Sequence, residues 1–340
     1  MMKPLPSRGS KPMKRFHFIF IAVSAILMHA PAAFAAVDLS IGGTAWYIWW
    51  KPAWSDARAT SVALVPRPVL FTENATDFKP SSNVMGGPIL SIGFLQRWSI
   101  QSVFTIGRFT YRSTGWSRDT QLQSTNYGVA PSYKKYTRDV LKWDSDTSIS
   151  CALHRVVKLY AGFKYQGYRY EESMQDILWV NMPPAVFDRK LTDEVQGYGC
   201  GLGLGLTIPV VENFYIMLSG SGVVLWSVEK IKINKGKTFL IQTDHDTGVT
   251  NFSPLPLYIQ TGRYFSYGCT ASLGLTYYIE KISTTLSLGG RYQLLFNRQR
   301  YSKHNPYYND VATNIIDRQY DHFYGITMSV LYTFHIGKKN

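Results

Sequence analysis

Charged side chains are scarce in this chain: Asp, Glu, Lys and Arg make up 17% of its 340 residues, against 45% apolar residues. Such a chain is too apolar and too aromatic, with 23 tyrosines, for an intrinsically disordered or collagen-like protein. Its three cysteines are too few for a disulfide framework. It also lacks any apolar run of about 18 residues, the length that a membrane-spanning helix needs. Disordered chains, disulfide scaffolds and helical membrane bundles are therefore excluded.

The first 35 residues have the three-part plan of a secretory signal peptide. A basic start without acids is followed by the apolar run 16–28, and Ala33 and Ala35 are the small residues that signal peptidase prefers. A true membrane helix is the alternative, but the apolar run is short and Pro31 follows it closely. Removal of 1–35 leaves 31 basic and 22 acidic residues, a net charge near +9 instead of +14. Much of the positive charge therefore belongs to targeting.

The mature chain, 36–340, alternates between large apolar and small side chains. Leu202, Leu204 and Leu206 are separated by glycines, and the same alternation fills 265–277 and 324–334. Successive side chains of a strand face opposite ways, so each segment has one apolar face and one small or polar face. These segments are longer than the usual strand of about five or six residues.

Ten such segments are predicted, and the connections between them differ in length. The segments are 37–49, 88–97, 99–111, 142–153, 156–170, 196–208, 213–227, 264–277, 282–297 and 322–335. Tight turns near 98, 155, 211 and 279 alternate with connections of twenty residues or more at 50–87, 112–141, 171–195, 228–263 and 298–321. An even strand number with short turns on one side and long loops on the other is typical of an outer-membrane barrel.

The predicted fold is therefore all-β: a closed antiparallel transmembrane β-barrel of about ten strands, occupying 36–340 as one domain. Backbone groups find no water in lipid, so a sheet can cross a bilayer only when it is closed. Two aromatic girdles are predicted on the outward face, at Trp143, Tyr198, Trp226, Phe265, Phe296 and Tyr324, and at Phe214, Tyr277, Tyr332 and Phe334. A soluble β-sandwich is the alternative, but its solvated faces would carry charged residues in place of Gly, Ser and Thr.

The chain resembles the single-chain outer-membrane β-barrels of diderm bacteria, because its last alternating segment, Tyr324 to Phe334, ends on an aromatic residue. The resemblance implies export, an outer-membrane location and insertion by the barrel-assembly machinery. Membrane lipid and lipopolysaccharide, or other acidic glycans, are the expected partners. We expect no nucleic acid partner and no cofactor, and the sequence leaves the oligomeric state open.

Inward positions are expected to be mostly small, so that few bulky groups plug the bore and a narrow passage stays open unless a loop folds into it. The ionisable side chains predicted to face the bore are Asp144, Asp146, Lys158, Lys164 and Arg291, with Asp38 as a further candidate. Asp146 should lie opposite Lys164 across one strand pair. These groups either form an internal ion pair that stiffens the wall or a constriction that selects solutes by charge.

The predicted outer loops are rich in basic and aromatic residues. The basic residues predicted to bind ligands there are Arg118, Lys134, Lys135, Arg138, Arg298 and Arg300. At that height they would attract acidic glycans, an interaction that salt weakens. The alternative interpretation is that exposed loops simply need polar residues.

Three functions follow from these patterns, and a small pore for passive solute transport is favoured over the others. A surface binding or adhesion barrel that uses the loops is the second. The third comes from a weak resemblance to the omptin proteases, through Asp144 and Asp146 and through Asp244, His245 and Asp246, which supply carboxylates and an imidazole for general-base chemistry. The adjacency of Asp244 and His245 departs from the omptin pattern, so we assign no catalytic residue. The scattered histidines predict no metal site.

Overall fold

The computed structural model of the protein describes residues 37–52, 71–75, 81–95, 97–119, 131–178, 185–233, 239–243, 250–254, 258–300 and 319–336. Within these ranges, no helix is long and apolar enough to cross a membrane. The signal peptide predicted for 1–35 lies outside the described residues and stays a prediction.

Ten long antiparallel strands form one closed barrel, as predicted. They are β1 Val37–Lys51, β3 Ser81–Phe94, β4 Trp98–Asp119, β5 Pro131–Ala152, β6 Val157–Leu178, β7 Ala185–Val211, β8 Phe214–Ile233, β11 Tyr258–Ile279, β12 Thr284–Arg300 and β13 Gln319–Ile336. The order around the ring is β4, β3, β1, β13, β12, β11, β8, β7, β6, β5, and β5 pairs back with β4. The pairing of β1 with β13 joins the two ends of the chain, so each barrel strand has a partner on both sides.

Among the described residues, three short strands lie outside this ring. Strand β2, Phe71–Ala75, pairs with the end of β4, between Gly115 and Asp119. Strands β9, Phe239–Thr243, and β10, Thr250–Pro254, form a separate hairpin.

The tight turns occur where the sequence predicts them, at one end of the barrel. They connect β3 to β4, β5 to β6, β7 to β8 and β11 to β12, the last through a short 3-10 helix, Glu280–Ile282. Three turn residues adopt a left-handed backbone conformation, Leu95, Asn213 and Ser283. This end of the barrel is called the turn end below, and the opposite end the loop end.

The strands are longer at the loop end than the sequence predicts. Strand β4 continues to Asp119 and strand β5 begins at Pro131, so only 120–130 remain between them. Only 179–184 separate β6 from β7. The prediction of twenty or more loop residues is wrong at these two connections, and it is also slightly too high between β12 and β13, where 301–318 remain. Alternation of apolar and small residues is the signature of a wall facing lipid, so it does not reveal a strand that continues past the lipid.

Outward side chains divide the wall into two zones, which we call the belt and the collar. In the belt the outward residues are apolar, for example Leu202, Leu204 and Leu206 on β7 and Leu273 on β11, all exposed. Nearer the loop end the outward residues of the same strands become polar, as with Arg169 and Glu171 on β6. An apolar belt suits hydrocarbon and a polar collar suits water.

Aromatic side chains mark both edges of the belt. Trp226 and Phe265 contact each other at the loop-end edge, with ring centroids 5.7 Å apart, and Tyr267 stacks on Phe296 at 5.5 Å. Tyr332 and Phe334 form an edge-on pair at 4.6 Å near the turn end. These contacts agree with the two predicted girdles.

Candidate functional site

The bore is filled in its loop-end half by a cluster of large side chains, which we call the plug. Its buried members are Trp46, Ile48, Trp50, Met85, Phe109, Tyr111, Val140, Tyr170 and Phe323, and Tyr168 packs against them. They come from six strands and contact one another in the middle of the barrel.

Trp50 is the centre of the plug. Its ring stacks on Phe323 of β13 at 5.4 Å and lies edge-on to Phe109 of β4 at 5.2 Å. It also contacts Tyr168 of β6 at 5.6 Å, although β1 and β6 lie four strands apart around the ring. The hydroxyl of Tyr111 donates a hydrogen bond to the Trp50 carbonyl oxygen at 3.0 Å. Trp50 therefore joins opposite sides of the bore.

The expectation that few bulky groups plug the bore is wrong. On β1 the small inward residues Ser40, Gly42 and Thr44 are followed, with the same parity, by Trp46, Ile48 and Trp50. Sequence parity therefore places these rings inside once the strand is continued past its alternating part.

Four of the predicted bore residues form one ionic group, which we call the bore cluster: Asp144, Asp146, Lys164 and Arg291. The Lys164 ammonium donates to Asp144 at 2.7 Å and to Asp146 at 3.0 Å. Asp146 and Lys164 are cross-strand partners, as predicted. Lys164 and Asp144 are buried, so both charges depend on these contacts.

The bore cluster also crosses the whole barrel. Arg291 donates to Asp146 at 2.9 Å, and β12 and β5 lie five strands apart in either direction around the ring. The Arg291 guanidinium lies 4.8 Å from the centre of the Trp46 ring, which links the cluster to the plug. Just above, Gln293 of β12 donates to Gln166 of β6 at 3.3 Å. Because each charged group of the cluster is paired with another, the cluster holds opposite walls of the bore together.

Lys158 and Asp38 do not join the bore cluster. Lys158 lies six residues from Lys164 along β6, toward the turn end, where it lines a cavity of about 430 Å³. Asp38 lies at the turn end of β1, with one carboxylate oxygen 2.6 Å from Nδ1 of His335.

The basic residues assigned to outer loops lie in strands instead. The backbones of Arg118, Lys134, Lys135, Arg298 and Arg300 belong to β4, β5 and β12, and their side chains are outside what the structure describes. Arg138 is buried inside the collar, forms an ion pair with Glu172 and lies over the Tyr170 ring at 5.0 Å. Its assignment to a surface loop is wrong, because β5 starts at Pro131 and its even-numbered residues face inward.

A different set of basic residues lies on the outward face of the collar. Among the described residues it comprises Lys51, Arg108, Arg112, Arg169, Lys230, Lys232 and Arg263, and the acidic residues there are Asp139, Glu171 and Glu194. None of the seven belongs to the predicted ligand-binding set: five lie just outside the alternating segments, and Arg108 and Arg169 lie near the ends of two of them. Lys230 has the parity of Trp226 on β8, so continued parity would have placed it outside.

A pair of carboxyl groups lies inside the collar, beyond the belt. Asp193 of β7 is buried, and burial together with the neighbouring Glu229 carboxylate raises the pKa of Asp193 well above its usual range. Its Oδ1 atom has no hydrogen-bond partner among the described residues. Asp193 is therefore a group that carries a proton more readily than an ordinary aspartate.

The residues behind the omptin resemblance are not brought together as a site. Asp144 and Asp146 lie deep in the bore with their oxygens bonded to Lys164 and Arg291. Asp244, His245 and Asp246 are outside the described residues. Within the described part of the chain, no group of three metal-ligating side chains occurs.

Comparison with known proteins gives similarity in overall structure only. No protein-family model matches the chain, and no curated protein matches it in sequence. Among solved structures, the outer membrane protease OmpT from Escherichia coli is 13% identical, with a TM-score of 0.43, over 90% of this chain and 99% of that chain. A mutant of the TodX monoaromatic hydrocarbon channel is 8% identical, with a TM-score of 0.31, over 91% and 94%. The translocator domain of autotransporter NalP from Neisseria meningitidis is 10% identical, with a TM-score of 0.26, over 95% and 96%.

Proposed function

We propose that this protein is an outer-membrane barrel of a diderm bacterium that binds acidic glycans at the cell surface through its collar. The belt supports the membrane placement, because exposed leucines such as Leu202 and Leu273 would be unfavourable in water and suit hydrocarbon. The tight turns then face the periplasm and the collar faces outward. In this proposal residues 1–35 direct export, and the barrel-assembly machinery inserts the mature chain.

The observation that carries the binding function is the basic outward face of the collar. Seven basic and three acidic residues face outward there among the described residues, directly above the loop-end aromatic girdle. Anionic groups of lipopolysaccharide or of other acidic glycans lie at this height outside the membrane. Clustered like charges raise the local concentration of an oppositely charged partner, and salt weakens the effect. The closed bore is consistent with a protein that works at its outer surface.

The test compares charge reversal at the two ends of the barrel. The mature protein in nanodiscs is applied to immobilised heparin as the acidic glycan probe, and the variant carries Arg108→Glu, Arg112→Glu, Arg169→Glu and Lys230→Glu. We expect at least tenfold weaker binding for this variant, and wild-type binding that falls with salt. Arg97→Glu with Arg155→Glu, two exposed turn-end residues, is the control, and it is compared with Arg112→Glu, Lys230→Glu so that each variant reverses two charges. Unchanged binding by the collar variant, or an equal loss in the control, would contradict the proposal.

Solute passage is the second candidate, and the 430 Å³ cavity on the turn side favours it. Passage requires the Arg291–Asp146 bridge and the plug to move apart, since both cross the bore. Planar-bilayer recording tests this candidate directly. Conductance steps from the wild type would support passage. A silent wild type beside a conducting Arg291→Ser, Trp50→Ala variant would show that the bore stays closed.

A further inference from the structure

The turn-end half of the bore contains the 430 Å³ cavity, which we call the vestibule, and the proposed surface function does not use it. It ends at the bore cluster, where Asp146, Lys164 and Arg291 form part of its lining. Its volume falls within the range of about 300–1,000 Å³ that is usual for small-molecule sites. Such a cavity has room for one ligand of the size of a simple sugar.

The charged groups that border the vestibule leave one positive charge over. Lys164 and Arg291 are balanced by Asp144 and Asp146, to which they are directly bonded. Lys158 is the remaining charged residue of the lining, and it has no ion pair with any residue that the structure describes. A ligand with a single negative charge would therefore neutralise the vestibule.

The polar lining consists mainly of hydroxyl groups. Ser99 and Ser150 hydrogen-bond to each other at 2.7 Å, and Ser219 and Ser272 at 2.6 Å, in each case across one strand pair. Each hydroxyl in such a pair keeps lone pairs, and one keeps its proton, for a further partner. This lining suits a ligand that carries several hydroxyl groups.

Tyr160 offers an aromatic surface between Lys158 and the bore cluster. Its ring lies against the wall at Gly203, where an added Cβ would come within 2.5 Å of the Tyr160 Cζ atom. Glycine at this position therefore lets the ring lie flat along the strand. Aromatic rings with a polar tip combine apolar contact with hydrogen bonding, which suits the face of a sugar ring.

We propose that the vestibule is a binding site for a singly charged sugar acid, a hexuronate in chemical class. Its carboxylate pairs with Lys158, its ring packs on Tyr160 and its hydroxyl groups bond to the serine pairs. A charge-assisted hydrogen bond from Lys158 supplies the discrimination against neutral sugars. This site lies on the periplasmic side of the bore cluster and is separate from the collar.

Calorimetric titration of the mature barrel in detergent micelles with glucuronate tests the proposal. We expect binding by the wild type, at least tenfold weaker binding by Lys158→Met, and recovery of most of the affinity by Lys158→Arg. Tyr160→Leu should also weaken binding. Arg155→Met, three residues from Lys158 in an exposed turn and outside the lining, is the matched control and should bind as the wild type does.

Glucose and glucose 6-phosphate separate charge from shape. Equal binding of neutral glucose, wild-type affinity in Lys158→Met, or no binding of glucuronate would overturn the proposal. Tighter binding of glucose 6-phosphate than of glucuronate would overturn the assignment of a single charge. A folded barrel migrates faster on a gel before boiling than after it. A shift to slower migration on boiling therefore shows that a variant was folded. If Lys158→Met does not fold, the preference of the wild type and of Lys158→Arg for glucuronate over neutral glucose still decides the test.

Discussion

The vestibule and the plug lie in the same bore and are built from the same strands, but their side chains differ in kind. The vestibule encloses a cavity whose lining combines many small hydroxyl-bearing residues with some larger apolar ones such as Val103 and Met217, whereas the plug is filled by rings such as Trp50 and Phe323. The change follows the surroundings of the wall. In the belt the outward face is apolar and the vestibule inside it carries many hydroxyl groups; toward the collar the outward face becomes polar and the bore is filled by rings that pack beside buried ion pairs such as Arg138 with Glu172.

This reversal of polarity has a physical reason. Inside the membrane, hydrocarbon surrounds the belt, so the wall does not need an apolar interior to be stable there. In water the collar must bury apolar surface in order to stay folded, as any soluble barrel does. Strand β1 shows both regimes, with Ile41 outward beside inward Ser40, and then Lys51 outward beside inward Trp50. One strand therefore serves first as a membrane wall and then as part of a soluble core.

Removal of the two stacked rings should have the largest effect. Trp50→Ala with Phe323→Ala is expected to lower the free energy of unfolding by more than the about 3–5 kcal/mol of one such truncation, and by less than the sum, because the rings contact each other. Urea unfolding in micelles, followed by tryptophan fluorescence, measures the loss. The control is Leu202→Ala with Leu204→Ala, which removes apolar atoms toward lipid. A larger loss of unfolding free energy in the control would contradict the view that the plug stabilises the barrel more than the lipid-facing leucines do.

Removal of the buried ammonium group between plug and vestibule ranks second. Lys164→Met leaves Asp144 buried without its cation, which is expected to cost about 3–5 kcal/mol. Asp146 keeps Arg291, so adding Asp144→Asn to Lys164→Met should restore most of the lost stability. The same urea experiment measures both variants. If the double variant is no more stable than Lys164→Met, the loss does not come from an unpaired charge.

Within the collar, Asp193 predicts a stability that depends on pH. Burial and the neighbouring Glu229 raise the pKa of the Asp193 carboxyl group in the folded protein, and Tyr170 and Arg138 also face it. As the pH rises from about 4, the Asp193 carboxyl group therefore loses its proton in the unfolded chain before it does so in the folded protein. Wild-type stability should therefore fall as the pH rises through that window. Asp193→Asn is expected to gain about 1 kcal/mol at pH 8 and to show no gain near pH 4. An equal effect at both pH values would contradict the raised pKa.

The smallest effect is expected in the vestibule. Ser219→Ala removes one hydroxyl from a pair in a polar cavity, where water can replace it, and should cost about 0.5 kcal/mol. Ser102→Ala is the matched variant, because Ser102 bonds to Thr147 at 3.0 Å on the outward face of the belt. Thr147 would lose its partner in lipid, so this variant should cost more. Equal costs would mean that the vestibule is as dry as the lipid face.

Local sequence was sufficient to predict the barrel strands and the pairing of Asp146 with Lys164. Both depend on parity along one strand and on the register of one tight turn. The contact of Arg291 with Asp146 could not be predicted in this way, because it joins strands that are far apart in the chain and opposite in the ring. Arg138 was misplaced for a related reason: a strand that continues beyond lipid no longer alternates between large apolar and small residues.

By itself the sequence determined a closed ten-strand wall, its tight turns and its lipid-facing side, because alternation with a period of two records which neighbour each face meets. Tertiary structure alone decided that the bore is closed and where its charges meet. Closure of the sheet brings side chains from opposite strands into contact, and those distances depend on the curvature of the whole ring and not on any one segment.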